Sequence, residues 1–178
     1  MNGLIGRTIS HYHVLAEIGQ GGMSSVFRAT DLVDGRSVAL KILSPYIAHE
    51  ERFRARFERE IKLLRRLQHA NIVPILDFGE ADGVTFIVMP FYSGGTLLDR
   101  LNEGPLDPRE GGAIVAQLSA ALMLAHQNGV VHRDVKPSNV LMDDQGNALL
   151  SDFSFARQQD ASQNLTGSAL IGTPAYMS

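Results

Sequence analysis

The stretch from Val130 to Leu141 reads VVHRDVKPSNVL, and the interpretation of the whole chain begins there. Between two apolar pairs it holds one carboxylate, two cations and one amide within eight residues. A loop between strands does not need that much polar chemistry to fold, and the apolar pairs anchor it on rigid elements, as catalytic groups usually are. The alternative is a polar surface turn that contains a proline. The residues at issue are His132, Arg133, Asp134, Lys136, Pro137 and Asn139.

Length and composition bound the class of protein. The 178 residues suffice for one domain or two small lobes, and the formal net charge of -3 indicates neither nucleic acid nor an anionic membrane as a partner. The absence of cysteine excludes disulfides and thiolate metal sites and fits a reducing cytoplasm. The N-terminus shows no signal-peptide pattern, and the apolar stretch from Ala113 to Ala125 is too short to span a bilayer. We therefore expect a cytoplasmic protein with no membrane segment in this chain; the alternative is a longer parent protein anchored in a membrane.

The stretch quoted first resembles the catalytic loop of the protein kinases, H-R-D-x-K-x-x-N. A second motif lies upstream, where GQGGMSSV from Gly19 to Val26 resembles the kinase glycine-rich loop G-x-G-x-x-G-x-V, with Ser24 in place of the third glycine. Alone, these glycines would predict only a hairpin turn. Further on, Asp152-Phe153-Ser154 resembles D-F-G, with Ser154 replacing the glycine and removing its backbone freedom.

A lysine and a glutamate upstream of the catalytic loop fit the same resemblance. Lys41 ends the sequence VALK in a predicted strand and matches the lysine of the kinase V-A-I-K motif. Glu60 shares the apolar face of a predicted helix over 50–68, where a carboxylate is costly unless it is paired, so Lys41 is its candidate partner. The alternatives are a strand-edge lysine in water and a glutamate that reaches solvent, or a basic helix that binds an acidic partner.

The resemblance implies an α+β, protein kinase-like two-lobe fold with ATP in the cleft. It predicts a five-stranded N-lobe with one helix over 11–89, a hinge over 90–95, and an incomplete helical C-lobe over 96–178, together a partial kinase domain over 11–178. A helix over 108–128 has apolar residues on most faces, which predicts that it is buried. Asp143 and Asp144 are expected to be solvated turn residues. The predicted strands are 14–18, 26–29, 37–43, 72–78, 84–89 and 148–151, and the other predicted helix is 96–101.

Roles follow from the resemblance residue by residue. Asp134 orients the substrate hydroxyl and accepts its proton, Lys136 neutralises the γ-phosphate, and Asn139 and Asp152 hold Mg²⁺. Met89 is the gatekeeper, and the Pro90 carbonyl and the Tyr92 N–H face the adenine edge. The ATP-binding residues implied are Ile18, Gly19, Gln20, Gly21, Gly22, Met23, Ser24, Val26, Ala39, Lys41, Glu60, Met89, Pro90, Tyr92 and Leu141.

Substrate class and regulation are also implied. Lys136 together with Thr173 resembles Ser/Thr kinases, and the Gly-Gly-Met-Ser sequence resembles bacterial kinases of the eukaryotic type, so ATP, a protein with Ser or Thr hydroxyls and a homodimer are the expected partners. Arg133 is expected near the activation segment, where phosphorylated Thr166 or Ser168 can pair with it.

A kinase domain continues past a segment like Gly172 to Ser178, so the resemblance implies a fragment or a truncated module with exposed apolar surface and a tendency to aggregate or to need a partner. The alternatives are a nucleotide-binding or scaffold module without catalysis, and the product of a broken reading frame.

Overall fold

The structure is a computed structural model that describes residues 3–22, 24–44 and 51–153, with only the backbone described over 51–56. The chain divides into two compact units. The first comprises Met1–Arg66 and Pro74–Phe91, and the second comprises Leu67–Val73 and Tyr92–Ser178. Each unit is described by itself below.

Over its described residues, the first unit contains the strands β1 (Thr8–Ile9), β2 (Tyr12–Gln20), β3 (Ser24–Asp31), β4 (Ser37–Leu43), β5 (Asp77–Ala81) and β6 (Val84–Pro90). They form one antiparallel sheet in the order β1-β2-β3-β4-β6-β5. Five strands were expected; the additional strand is β1, whose two residues are too few for a periodic signal in the sequence.

The core of this unit lies on one face of the sheet, because alternate residues of β2, β3, β4 and β6 are apolar and point the same way. Phe27 and Leu40 are fully buried there. Tyr12 is also buried, and its hydroxyl donates to Asp77 at 3.0 Å. That bond joins β2 to β5, which are separated by three strands in the sheet order, so the sheet is strongly curved.

Helix α1 (Glu51–Leu64) belongs to the same unit and is shorter at its C-terminal end than the predicted 50–68. Phe57 and Ile61 are buried and confirm the apolar stripe over the described side chains. The Phe57 ring packs edge-on against Phe78 of β5, with 6.4 Å between centroids. The stripe therefore faces the sheet.

The predicted strand over 72–78 is wrong over most of its length, since β5 begins only at Asp77. Pro74 lacks an N–H and cannot continue a ladder. The apolar residues before it are buried in the second unit instead: Val73 N–H donates to the Leu150 carbonyl at 3.0 Å. Asn71 completes this attachment, because its carbonyl accepts from Leu150 N–H at 2.9 Å and its side-chain amide donates to the Ala148 carbonyl at 2.8 Å.

Over its described residues, the second unit contains two α-helices, a 3₁₀ turn and a β-hairpin. The helices are α2 (Leu97–Asn102) and α3 (Pro108–Gln127), the 3₁₀ turn is Pro137–Asn139, and the hairpin strands are β7 (Val140–Met142) and β8 (Ala148–Leu150). Thr96 and Asp99 form a reciprocal capping box that starts α2, and Asp107 with Pro108 starts α3. An ion pair joins the two helices, with Arg100 Nη2 2.9 Å from Glu110 Oε2.

The expectation that α3 is buried is wrong for the described chain. Its buried residues are Ile114, Ala121 and Ala125, whereas Val115 is 64% exposed and Met123 59% exposed. The expected exposed apolar surface is thus present on this helix. No helix of the described residues is long and apolar enough to cross a membrane. The cytoplasmic location stays a prediction.

Candidate active site

His132 fixes the polar loop from within the second unit. It is 1% exposed, and its Nε2 lies 2.7 Å from the Ser151 carbonyl oxygen. On the other side of the ring, the Asp134 backbone N–H donates to Nδ1 at 3.3 Å. Because a carbonyl only accepts and an amide N–H only donates, the ring is neutral with its proton on Nε2. Burial lowers the pKa of His132, which favours this neutral form.

The groups proposed for catalysis meet around the Asp134 carboxylate. Lys136 Nζ lies 2.9 Å from Asp134 Oδ2, and the Asn139 side-chain amide donates to the same oxygen at 3.1 Å and to the Asp134 carbonyl at 2.8 Å. The Asp134 side chain is only 11% exposed. The loop thus holds a carboxylate with a cation and an amide donor in fixed positions, which suits proton transfer beside a charged substrate.

The hairpin brings Asp152 back to Asn139, as its length predicted. Ser151, the residue before Asp152, donates to the Asn139 carbonyl from its backbone N–H and from its hydroxyl, both at 2.9 Å. Asp152 has φ 58° and Arg133 has φ 66°, conformations that cost a residue other than glycine roughly 1–2 kcal/mol. Such strain persists where neighbouring contacts fix the backbone. Here the buried rings of His132 and Phe153 are in contact, with 4.7 Å between their centroids.

The glycine-rich segment joins β2 to β3 in the first unit. Gly19 pairs with Val26 and Gln20 with Ser25, and Gly21 N–H donates to the Ser24 carbonyl at 2.8 Å to close the turn. Among the described residues, which leave out Met23 of this turn, a Cβ atom added at any of its three glycines would meet no atom closer than 3.5 Å. The expectation that these glycines admit a phosphate stays a prediction. Ile18, at its entrance, is 47% exposed.

The remaining first-unit candidates lie on neighbouring strands and on α1. Val26 pairs with Lys41, and Ala39 pairs with Met89, so these four residues occupy adjacent positions across β3, β4 and β6. Ala39 is 7% exposed, and Lys41 is half-buried, as is Glu60 on α1. Pairing of Lys41 with Glu60 stays a prediction.

Tyr92 and Leu141 are the nucleotide candidates in the second unit. Leu141 is half-buried and points away from its neighbours Val140 and Met142, which are buried. Burial and the Asp143 carboxylate raise the pKa of Tyr92. Pro90 ends β6 in the first unit, opposite Val38.

Asp143 lies in the turn between β7 and β8 and is half-exposed, in line with the expected turn residue, and its carboxylate also caps that turn. Its Oδ1 accepts from the backbone N–H of Asn147 at 2.7 Å and of Gln145 at 2.9 Å, and its Oδ2 accepts from the Asn147 side chain at 2.9 Å. These hydrogen bonds, that of the Asn147 side chain above all, lower the pKa of Asp143. The spacing Asp-x-Gln-Gly-Asn is typical of such a capped turn and could have indicated it. Asp144 is exposed, as expected. Met23, Ser154, Thr166, Ser168 and Thr173 lie outside the described residues.

Among the described residues, no three or more His, Asp or Glu side chains form a cluster that could hold a metal ion. The metal donors that the resemblance implies are the Asp152 carboxylate and the Asn139 amide oxygen, and they stay a prediction. Oxygen donors of this kind suit Mg²⁺, which keeps several water ligands and is usually completed by substrate phosphates.

Comparison with known proteins identifies the family of this chain. The protein kinase domain family matches residues 12–178. The serine/threonine-protein kinase PrkC of Bacillus subtilis is 41% identical over 177 residues, 98% of this chain and 27% of PrkC. PknD of Mycobacterium tuberculosis is 43% identical over 175 residues, 97% of this chain and 26% of PknD. The chain thus spans about a quarter of the length of these relatives.

Solved structures give the same answer for the fold. The crystal structure of the Mycobacterium tuberculosis PknI kinase domain has a TM-score of 0.75 and 36% sequence identity, and covers 86% of this chain and 62% of that one. The mixed α+β architecture expected from the sequence is thereby confirmed. With a family match over nearly its whole length and bacterial Ser/Thr kinases as relatives, this chain belongs to the protein kinase family.

Proposed function

We propose that this chain carries the catalytic groups of a Ser/Thr protein kinase, which transfers the γ-phosphoryl group of ATP to a protein hydroxyl. The observation that carries the proposal is the Asp134 carboxylate, held by Lys136 at 2.9 Å and by the Asn139 amide at 3.1 Å in a loop fixed by buried His132. Membership of the kinase family implies ATP as a substrate. A homodimer, expected from the resemblance, stays a prediction.

The chemistry assigned to the loop is an in-line displacement. The substrate hydroxyl oxygen bonds to the γ-phosphorus, the bond from that phosphorus to the β–γ bridging oxygen breaks, and ADP leaves. Asp134 orients the hydroxyl and accepts its proton, while Lys136 neutralises charge on the transferred group. Asn139 and Asp152 would hold Mg²⁺, which when bound offsets phosphate charge.

Nucleotide binding draws on candidates in each unit. In the first unit, Lys41 would contact the α- and β-phosphates, with Glu60 orienting its ammonium group. The glycine-rich turn offers backbone N–H groups to the phosphates, and Val26 and Ala39 offer apolar surface to the base. In the second unit, Tyr92 and Leu141 would contact the base. The register between β3 and β4 supports this assignment, because it places Val26, Ala39 and Lys41 on adjacent strand positions.

The direct test incubates the chain with Mg-ATP and a set of Ser- and Thr-containing peptides, and detects phosphopeptides by mass spectrometry. We expect transfer to hydroxyls of Ser or Thr and none to Tyr. Calorimetric titration with Mg-ATP is run in parallel. Binding without transfer would identify the alternative, a nucleotide-binding or scaffold module, and no binding at all would contradict both functions.

A further inference from the structure

The segment that follows Tyr92 is registered against strand β7. The Met142 N–H donates to the Gly95 carbonyl at 2.9 Å, and Thr96 forms an antiparallel bridge with Leu141. A hydrogen bond and a bridge at adjacent positions fix the register between this segment and β7. A shift by one residue would turn every side chain of the segment to the opposite face. The segment's backbone is therefore fixed relative to Leu141.

Gly94 lies closer to the backbone of another segment than any other described glycine does. A Cβ atom built on Gly94 would lie 2.5 Å from the Met142 carbonyl oxygen and 2.9 Å from the Asp143 carbonyl oxygen. Both obstacles are backbone atoms, which cannot rotate away as a side chain can. Any residue other than glycine at this position must therefore push the segment and β7 apart.

Neither side of this contact gives way easily. On one side, Thr96 is locked into the start of α2, because its N–H donates to Asp99 Oδ2 at 2.9 Å and its hydroxyl oxygen accepts from Asp99 N–H at 3.2 Å. On the other side, Asp143 caps the β7–β8 turn. Helix α3 holds that turn as well, since Gln117 Oε1 accepts from Ala148 N–H at 2.8 Å and its Nε2 donates to Asn147 at 3.1 Å.

We propose that Gly94 is a positioning residue that sets base selectivity, with Asp143 as its support from the β7–β8 turn. The inference rests on the proposed function, in which Tyr92 N–H reads the adenine edge and Leu141 packs against the ring. Gly94 lies two residues after Tyr92, and its contact fixes the spacing between the hinge segment and Leu141. A spacing matched to one base favours that base, because hydrogen bonds weaken steeply when distance and angle change.

The test measures dissociation constants of Mg-ATP and Mg-GTP by calorimetry for the wild-type chain and for Gly94→Ala. We expect ATP affinity to fall about tenfold, as the loss of one well-placed hydrogen bond would produce, and GTP affinity to change by less than about twofold. The ratio of the two constants thus moves, whereas general destabilisation of the unit would lower both affinities together and leave the ratio unchanged. Gly112→Ala is the matched control, because a Cβ there meets no atom within 4 Å and should leave the ratio at its wild-type value.

An unchanged ratio in Gly94→Ala, or a wild-type chain that binds both nucleotides equally, overturns the inference while leaving the proposed function intact. A wild-type chain that binds neither nucleotide overturns the proposed function and the inference with it. If Gly94→Ala shows no thermal unfolding transition and is therefore not folded, the same measurement is made on Asp143→Asn. This variant loses an acceptor for the Asn147 amide, and its ratio should move in the same direction by about threefold. An unchanged ratio there also overturns the inference.

Discussion

A substitution at Asp134 should affect the chemical step and not nucleotide binding. Its carboxylate is paired with Lys136 and Asn139, and the proposed mechanism places it at the acceptor hydroxyl. Asp134→Asn should therefore reduce phosphoryl transfer by about 10²–10⁴-fold, the usual contribution of a positioned general base, and leave ATP affinity nearly unchanged. The check is turnover with labelled ATP beside calorimetric binding.

Wild-type turnover in Asp134→Asn would remove Asp134 from its assigned role. Asp144→Asn is the control, because Asp144 is an exposed carboxylate on the β7–β8 turn and no described contact joins it to the loop. It should change neither turnover nor binding.

His132 makes stability depend on pH in a predictable direction. Burial lowers its pKa in the folded chain, so below the ordinary histidine pKa the unfolded chain binds a proton that the folded chain rejects. Stability is therefore fully present above about pH 6.5 and should fall as the pH drops through the range between the unfolded and folded pKa values. Urea denaturation midpoints at pH 7.5 and pH 5.5 measure the loss.

His132→Gln removes the titrating ring and should flatten this pH dependence, although the chain becomes less stable at both pH values. His126→Gln, at the exposed end of α3, should keep the wild-type dependence. An equal slope in the His132→Gln and wild-type chains would contradict the assignment of the effect to His132.

At the scale of elements, the predicted pair of Lys41 on β4 and Glu60 on α1 would link the helix to the sheet. Lys41→Met should weaken Mg-ATP binding and lower the melting temperature, because Glu60 would lose its proposed partner. Removing one partner of a fully buried pair costs about 3–5 kcal/mol, and the half-buried positions of both residues predict a smaller loss. Melting curves and calorimetry on Lys41→Met, Glu60→Gln and the double variant give the coupling free energy.

Lys62→Met, on helix α1 with Glu60, serves as the matched control for Lys41→Met. Lys62 pairs with Glu58 at 3.3 Å on an exposed face, where such pairs contribute about 0.3–0.5 kcal/mol, so its loss should barely alter melting and should not alter ATP affinity. If Lys41→Met behaves like Lys62→Met, both the role of Lys41 and its pairing with Glu60 are wrong.

Elements were predictable where the sequence signal is local. The strand containing Lys41, helix α2 and the hairpin from Asn139 to Asp152 each follow from residues close together in the chain. The strand over 72–78 was mispredicted because Ile72 and Val73 are apolar for another reason: they pack in the second unit against Leu150, nearly eighty residues later. Periodicity records that a residue is buried but not which part of the chain buries it. The same limit hid Gly94, whose need for glycine comes from a carbonyl on β7.

At the scale of the whole molecule, α3 presents apolar residues to solvent. Val115 and Met123 are eight positions apart, which places them about 80° apart around the helix axis, on one broad face. Single exposed apolar residues are ordinary, but two on one face of a long helix raise the tendency to associate. The sequence indicated the apolar character of the helix and could not say which face the described chain leaves open.

The regulatory prediction joins the catalytic loop to a segment outside the described residues. Arg133 directly precedes Asp134, and its φ of 66° shows that the backbone there is fixed by its surroundings rather than by preference. A phosphate carries about -1.5 to -2 charges and three strong acceptors, so it forms short, charge-assisted hydrogen bonds with a guanidinium. Through Arg133, such a phosphate would act on the position of the neighbouring carboxylate.

We therefore expect activity to rise when Thr166 or Ser168 is phosphorylated. Incubation with Mg-ATP and an active kinase of the same family, followed by mass spectrometry, should find phosphate at one or both hydroxyls. Thr166→Ala/Ser168→Ala and Arg133→Ala should then each remove the activation without abolishing basal transfer, because the phosphate and the guanidinium act as one pair. The variant that combines all three substitutions should lose no more activation than the double alanine variant or Arg133→Ala does alone. Full activation of the double alanine variant, or additive losses in the combined variant, would contradict pairing through Arg133.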